Sequence, residues 1–398
     1  MTTPETADVD VIVAGAGPVG LVTALGLARA GLTVHVLERD PEVGRAPRAL
    51  VHFPPVLEGL ARLGVLEDVK AAGLPLQARS FLVAATGERI THFRDLAPRG
   101  ISLGQDRLTE LLLAHLARHP NAVVEQGTAV TGLAQDDRGV RVATSSGGEL
   151  HAGWVVGADG ARSSVRAALG VPFEGMTWPQ RFIATDVRCD LAAWGGEGVT
   201  TFVIDPEVGA IVVPIEPGVW RYTYSEGVPR GESVAVGEVH ERLAASLPGE
   251  YELLRWSPYN MHQRAAQRFR VGRVVLAGDA AHATNPTGGL GLTAGMLDAL
   301  VLQEALAAVV SGEVGTEVLD RYAALRRDTF LNLTSPLATE YKRLVFDSTD
   351  PERLETDLAV LRQLEGSVEL QREFLAAMGE LATPSLLSHV DTASGGAA

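Results

Sequence analysis

One cysteine, Cys189, stands in a chain of 398 residues. That scarcity excludes an internal disulfide framework and any cysteine-rich metal site, and it makes a cytoplasmic location the default. No metal centre is expected. Cys189 itself reads as a small core residue rather than a nucleophile. Lysine is nearly as rare: Lys70 and Lys342 are the only two, and arginine carries almost all the positive charge. Mechanisms that need a lysine therefore have little to draw on. Positive charge is in deficit overall, at a formal net −15. On bulk electrostatics this argues against nucleic acid or an anionic membrane surface as a partner. Internal repeats and long low-complexity segments are lacking as well. The N-terminus has no basic signal-peptide region, because Asp8 and Asp10 stand where the positive residues would be.

A long apolar run is nearly present. Val11 to Ala28 carries no charge, and a membrane span needs about 20 apolar residues. This run contains glycines and a proline and changes period partway. "VDVIVAG" is a short β-branched strand, "GPVGLVTALGLARAG" has helical spacing, and "LTVHVLERD" is a second strand. A β-α-β unit explains it better than a span. Hydrophobic residues at 46% and charged residues at 21% supply a large core and more than one domain.

Along the chain, "PPVLEGLARLGVLEDVKAAG" and "RLTELLLAHLARHP" read as helices. The stretch from "AVVEQ" to "WVVGADG" reads as strands ending in a buried one. Residues from about 175 to 268 alternate, as in "GAIVVPIEPGVWRYTYSEG", and suggest an antiparallel sheet. "RVVLAGDAAHA" is again a buried strand, "GLTAGMLDALVLQEALAAVVSG" a helix, and the remainder mostly helical. Residues 1–7 and the closing "TASGGAA" read as loose tails. The expected architecture is α/β. It has a Rossmann-like nucleotide-binding domain of discontinuous segments (8–78, 101–174 and 269–335) and an inserted antiparallel-sheet substrate domain (79–100 and 175–268). A C-terminal helical segment (336–390) follows.

Gly15-Ala16-Gly17-Pro18-Val19-Gly20 fits G-x-G-x-x-G. The first glycine permits the tight turn, the second lets backbone approach a pyrophosphate, and the third lets helix pack close on strand. The helix N-terminus then faces the phosphates. Alone the motif is weak. Here a strand precedes it, a helix follows, and Glu38 ends the next strand, placed for a ribose hydroxyl pair. The loop does not separate NAD from FAD.

Two further stretches do. "GADGARSSVR" puts Asp159-Gly160 at the end of a buried strand. "GRVVLAGDAAHATNPTGGLGLTAGMLDA" does the same with Gly278-Asp279, then adds a glycine-rich loop entering a helix. An NAD-only domain has no need of these. FAD needs additional acceptors and a second helix end. Asp279 can accept from a ribityl hydroxyl, and N–H groups around Gly291, Leu292 and Thr293 can stabilise charge on the N1–C2=O edge of a flavin.

With these motifs the chain resembles the FAD-dependent aromatic hydroxylases, the single-component flavoprotein monooxygenases of the para-hydroxybenzoate hydroxylase type, over roughly residues 8–335. The matching elements occur in the family's order. They are the glycine loop with Glu38-Arg39, Arg48-Ala49 ahead of "LEGLARLGV", Gln105 ahead of "LTELLLAHL", Asp159-Gly160, and "GDAAH" through "PTGGLGL". The resemblance implies non-covalent FAD. Its contacts would be Gly15, Gly17, Pro18, Val19, Gly20, Glu38 and Arg39, then Arg48, Gln105, Val130 and Asp159, then Asp279, Gly289, Gly291, Leu292 and Thr293. Many relatives have Asn where this chain has Thr293. Some larger relatives carry a C-terminal thioredoxin-like domain, for which too few residues follow here.

The chemistry implied is the family's. NADPH or NADH reduces FAD, reduced flavin and O2 form a C4a-hydroperoxide, and its distal oxygen passes to an aromatic, phenolic or polycyclic small molecule. The cofactor carries the reaction, so no catalytic side chain stands out, and the protein must exclude water. There is no second complete glycine loop for the nicotinamide nucleotide. Trp220, Tyr222 and Tyr224 alternate on one strand and share a face, so an inward face would make Tyr222 and Tyr224 pocket walls. Pro286 is expected near substrate by resemblance. His282 reads as structural, and His52 is left unassigned. A monomer or homodimer fits equally. Competing readings on the same scaffold are Baeyer–Villiger oxidation, epoxidation or double-bond reduction. A halogenase is disfavoured, since no lysine precedes Lys70 and no W-x-W-x-I-P stretch occurs. A non-catalytic FAD-binding sensor is the reading from another class.

Overall fold

In the computed structural model, which describes residues 8–94, 96, 100–191, 196, 198–227 and 234–387, the uncharged N-terminal run divides into the strand Val9–Ala14 and the helix Pro18–Arg29. The tails read at 1–7 and 392–398 lie outside the described residues. The run is apolar throughout because both faces of the strand are covered. Val11 and Val13 enter one core cluster, while Ile12 and Ala14 enter another on the opposite side. Pro18 opens the helix at the one place where its missing N–H costs nothing.

The described strands form three sheets. In the first, Val9–Ala14 lies parallel between Val34–Glu38 and Glu149–Gly157, with Ala122–Gln126 and Val274–Leu276 parallel outside them. In the second, Phe173–Cys189 is central, paired antiparallel with Val219–Glu226 on one side and Tyr251–Ala266 on the other. Beyond Val219–Glu226 follow Ala210–Glu216, Val199–Ile204, Ala78–Val83 and Arg89–His92. The expectation of an antiparallel sheet holds except at one pair: Val199–Ile204 runs parallel to Ala78–Val83. Those strands come from chain segments that leave the sheet and return, so no hairpin dictates their direction. A small third sheet joins Val51–His52, Gly100–Ser102 and Leu74–Leu76.

The helix Leu290–Val310 packs on Pro18–Arg29 beneath the first sheet. By length and composition it could cross a bilayer, but 72% of its apolar window is buried inside the fold. Apolarity all round a helix is what burial in a core requires. Among the described residues four α-helices follow, Glu317–Thr329, Ser335–Phe346, Pro351–Glu365 and Val368–Met378. Pro351–Glu365 returns to the edge strand Arg89–His92, where His92 Nε2 donates to the Leu361 carbonyl at 2.9 Å and Arg362 pairs with Glu88 at 2.7 and 2.8 Å, and Gln371 of the last helix accepts from Phe93 N at 2.6 Å. The helical reading of "PPVLEGLARLGVLEDVKAAG" resolves into two helices, Pro54–Arg62 and Leu66–Ala72, broken at Gly64.

Candidate functional site

A cavity of about 1440 Å3 opens where Val9–Ala14 and Val34–Glu38 end and runs along one face of the second sheet. Ligands of open parallel sheets sit outside the carboxyl ends of the strands, and this volume exceeds the ~300–1,000 Å3 of an ordinary small-molecule pocket. There is room for a dinucleotide and a second molecule.

At one end the turn after Val9–Ala14 forms the wall. Gly15 has φ +104°, and a Cβ there would lie 2.4 Å from the Ala158 carbonyl oxygen. Gly17, Pro18 and Val19 line the cavity. Gly20 does not. A Cβ at Gly20 would meet the Gly15 carbonyl oxygen at 1.9 Å, so this glycine lets the helix close on the turn. Its place in a contact set is corrected accordingly: it shapes the loop from behind.

Glu38, Arg39, Arg48, Gln105 and Val130 border the same end. The Glu38 carboxylate is fixed by two backbone donors, Ala16 N to Oε2 at 2.7 Å and Asp40 N to Oε1 at 2.8 Å. Each oxygen keeps acceptor capacity for a further hydrogen bond. Asp159 also borders the cavity, but its carboxylate is taken up locally by Ser163 Oγ at 2.5 Å, Ser164 N at 2.7 Å, Ser164 Oγ at 3.0 Å and Val165 N at 3.1 Å. It closes its own turn.

Asp279 lines the cavity. Its side chain is open to the cavity, and the protein packed around it raises the carboxyl, opposed by His282 and Arg48. The turn that carries it is pinned from below. Asp298 accepts from Gly278 N at 3.0 Å and His282 Nε2 at 2.7 Å, and Arg326 Nε donates to its other oxygen at 2.7 Å. Arg326 also donates to the Ala294 and Leu381 carbonyls. His282 is thus a structural residue of a buried ion network, as its motif suggested.

Pro286, Gly289, Gly291, Leu292 and Thr293 line the cavity where Leu290–Val310 begins. Gly289 is the N-cap, and its own N–H donates to the Pro286 carbonyl. The donors left free by the helix are those of Leu290, Gly291 and Leu292. Thr293 is one step too far in: its N–H falls to the N-cap carbonyl, and its hydroxyl donates to Gly289 O at 2.9 Å.

The far end corrects the sequence reading of the substrate wall. Trp220, Tyr222 and Tyr224 do share a face, but that face turns away from the cavity. It packs with Val239 and Leu243 of the helix Val236–Ser246. The residues between them, Arg221 and Thr223, face the cavity. Arg221 is held by Asp186 at 2.6 and 2.9 Å and also donates to the Arg48 carbonyl. The aromatic wall comes instead from Phe93, Phe202, Tyr259, Tyr341 and Phe374, with Arg79 among them. These lie far apart in sequence, on three strands or their ends and two C-terminal helices, and no local pattern marks them. His52 is buried, its Nε2 donates to the Leu103 carbonyl oxygen at 3.0 Å, and burial lowers its pKa to about 4. Among the described residues no group of three or more His, Cys, Asp or Glu could hold a metal ion.

Residues 8–334 match the FAD binding domain family. Para-nitrophenol 4-monooxygenase of Pseudomonas sp. (strain WBC-3) is 38% identical over 392 residues, which is 95% of this chain and 96% of that one. A 6-hydroxy-3-succinoylpyridine 3-monooxygenase of Pseudomonas putida is 40% identical over 380 residues, 92% of this chain and 96% of that protein. A crystal structure of p-nitrophenol 4-monooxygenase from Pseudomonas putida superposes with a TM-score of 0.87 at 38% identity, covering 95% of this chain and 98% of the other.

Proposed function

This chain belongs to the FAD-dependent aromatic hydroxylases, and on that premise we propose how its cavity divides the work and which ring it takes. The protein is an FAD-dependent monooxygenase that uses NAD(P)H and O2 to hydroxylate an aromatic small molecule. FAD, when bound, supplies both the reduction by the nicotinamide nucleotide and the transfer of oxygen.

We read the first sheet with its helices as the cofactor domain (8–78, 101–174 and 269–335). The second sheet, with 79–100 and 175–268, then forms the substrate side, closed by the helices of 336–390. The donor set fits FAD. Glu38 would take the ribose hydroxyls, and the turn at Gly15 and Gly17 the pyrophosphate. Asp279 would take the ribityl chain. The N–H groups of Gly291 and Leu292 would face the electron-rich edge of the flavin. Arg39, Arg48, Gln105 and Val130 border that end. Asp159 and Gly20 act on it by shaping backbone. The ring to be hydroxylated lies beyond Pro286, against Tyr341 and Phe202.

The observation that carries this reading is the continuity of one cavity from the glycine turn, past the start of Leu290–Val310, to an aromatic wall. The substrate class is a single-ring hydroxyarene, as the names of the two 38–40% identical relatives suggest. The test is NAD(P)H oxidation over a panel of single-ring and polycyclic phenols, with product mass read under isotopically labelled O2. Single-ring phenols should give a labelled hydroxylated product. Label in an ester or epoxide would favour Baeyer–Villiger or epoxidising chemistry. Absence of turnover with every ring would favour a sensor.

A further inference from the structure

We propose that Arg79 is the anion-recognition residue of the substrate pocket, gripping a planar two-oxygen substituent (carboxylate or nitro) of a single-ring hydroxyarene. This rests on the hydroxylase reading above and names the feature of the ring that the pocket selects.

Arg79 stands on the strand Ala78–Val83 and lines the cavity. Its guanidinium is surrounded by rings: Phe374 at 4.8 Å, Phe93 at 5.1 Å, Phe81 at 5.2 Å and Tyr341 at 5.6 Å. Two donors are used, one to the Tyr341 hydroxyl and one to His92 Nδ1 at 3.3 Å. His92 brings no charge to the group. Its Nε2 lies 2.9 Å from the Leu361 carbonyl, which can only accept, so Nδ1 is the acceptor toward Arg79. The Arg79 Nε is buried with no partner. Among the described residues no carboxylate is paired with it. A guanidinium has five N–H donors and does not lose its charge. Ring faces offset part of the cost of enclosing it, but an enclosed cation without a counter-charge is poorly satisfied. Arg221, the other cavity arginine on the second sheet, shows the contrast: Asp186 neutralises it at 2.6 and 2.9 Å.

Tyr341 joins Arg79 to the loop ahead of Leu290–Val310, since a Cβ at Gly288 would lie 3.0 Å from its ring. Phe202 stacks on Tyr341 at 5.8 Å and 17°. An aromatic ring laid against this pair has Arg79 at one end and the Pro286–Gly289 loop at the other. The planar fork of arginine matches a pair of oxygens in one plane. A purely structural role, tying the helices Ser335–Phe346 and Val368–Met378 to the sheet, leaves the missing counter-charge unexplained.

The test is ligand binding to the FAD-replete protein, read as perturbation of the flavin absorbance by para-hydroxybenzoate, para-nitrophenol and para-cresol. The first two separate carboxylate from nitro, and para-cresol lacks both oxygens. The native protein should bind at least one of the first two about tenfold or more tighter than para-cresol, the size of a charge-assisted hydrogen bond. Arg79→Met should erase that preference, bringing para-hydroxybenzoate and para-nitrophenol down to the level of para-cresol. No preference in the native protein, a preference that survives Arg79→Met, or an equal loss for all three ligands overturns the proposal. Should Arg79→Met fail to retain FAD, Arg79→Gln carries the same comparison; if both fail, Arg79 is structural and the proposal falls. Because binding needs no turnover, a protein that shows the preference yet forms no hydroxylated product would overturn the hydroxylase reading instead.

Discussion

Asp298 lies 2.7 Å from His282 beneath the turn that carries Asp279, with both side chains fully enclosed. The same carboxylate holds Arg326 at 2.7 Å. One acid in the middle of an apolar helix therefore links the Gly278-Asp279 turn, the helix and the segment at Leu381.

Asp298→Asn should destabilise the protein by about 3–5 kcal/mol, because it leaves a buried guanidinium without its counter-charge. It should also weaken FAD retention through the Gly278-Asp279 turn. Burial works against the Asp298 charge, but His282 and Arg326 outweigh it and hold the carboxyl below its ordinary 3.8. A depressed carboxyl contributes its stability above the unfolded value and loses it as pH falls through the folded one. The native protein should thus keep this contribution at neutral pH and lose it only below about pH 4. Urea unfolding across that range checks both statements, and Asp298→Asn should show a shallower acid dependence.

Glu38→Ala should weaken FAD binding by about tenfold to a hundredfold, the equivalent of one or two charge-assisted hydrogen bonds. Part of that loss comes from the loop itself, because Glu38 also fixes Ala16 N and Asp40 N. Glu38→Gln keeps an acceptor for one of them and should fall in between. Equilibrium dialysis against FAD measures all three proteins. Equal dissociation constants would remove Glu38 from the site.

The end of the cavity that we assign to the cofactor was legible as local structure in the sequence. Gly15, Gly17 and Glu38 belong to one β-α-β unit, and Asp279 through Thr293 to one strand-loop-helix. Backbone turns and helix ends are set by neighbours a few residues away. The aromatic end that we assign to the substrate was not legible, for two physical reasons. The first is facing: alternation puts Tyr222 and Tyr224 together but does not say which face is inward, and the helix Val236–Ser246 covers theirs. The second is distance along the chain. Arg79 meets Tyr341 and Phe374 only because the C-terminal helices fold back over the sheet, and tertiary packing of that kind leaves no periodicity to read.

Tyr224→Phe should leave kcat/KM for any accepted ring unchanged. The side chain faces the helix Val236–Ser246, and its hydroxyl is buried with no hydrogen-bond partner. Removing an unsatisfied buried hydroxyl should leave the melting temperature equal or slightly raised. A substantial change in KM would mean that this face of the sheet reaches the substrate after all. Steady-state kinetics and a thermal melt suffice.

The last prediction concerns the start of Leu290–Val310 and the reduced, anionic flavin. Only the N–H groups of the first turn are free to face a ligand, and here these belong to Leu290, Gly291 and Leu292. Thr293 is already tied to Gly289. Gly291→Pro deletes one free donor within the first turn, where no intrahelical hydrogen bond is lost. A Cβ there would meet nothing nearer than a Thr284 methyl at 3.5 Å. Gly291→Pro should therefore lower the flavin midpoint potential by an amount on the order of tens of millivolts, the equivalent of about one hydrogen bond in a two-electron couple. Thr293→Ala should leave the potential nearly unchanged, because its hydroxyl points back to a carbonyl. Thr293→Pro is expected to disturb the helix itself, since it removes an internal bond. Spectroelectrochemical titration of the FAD-replete variants orders them. A large shift with Thr293→Ala and none with Gly291→Pro would mean that the Thr293 side chain, not the helix N-terminus, stabilises the reduced flavin.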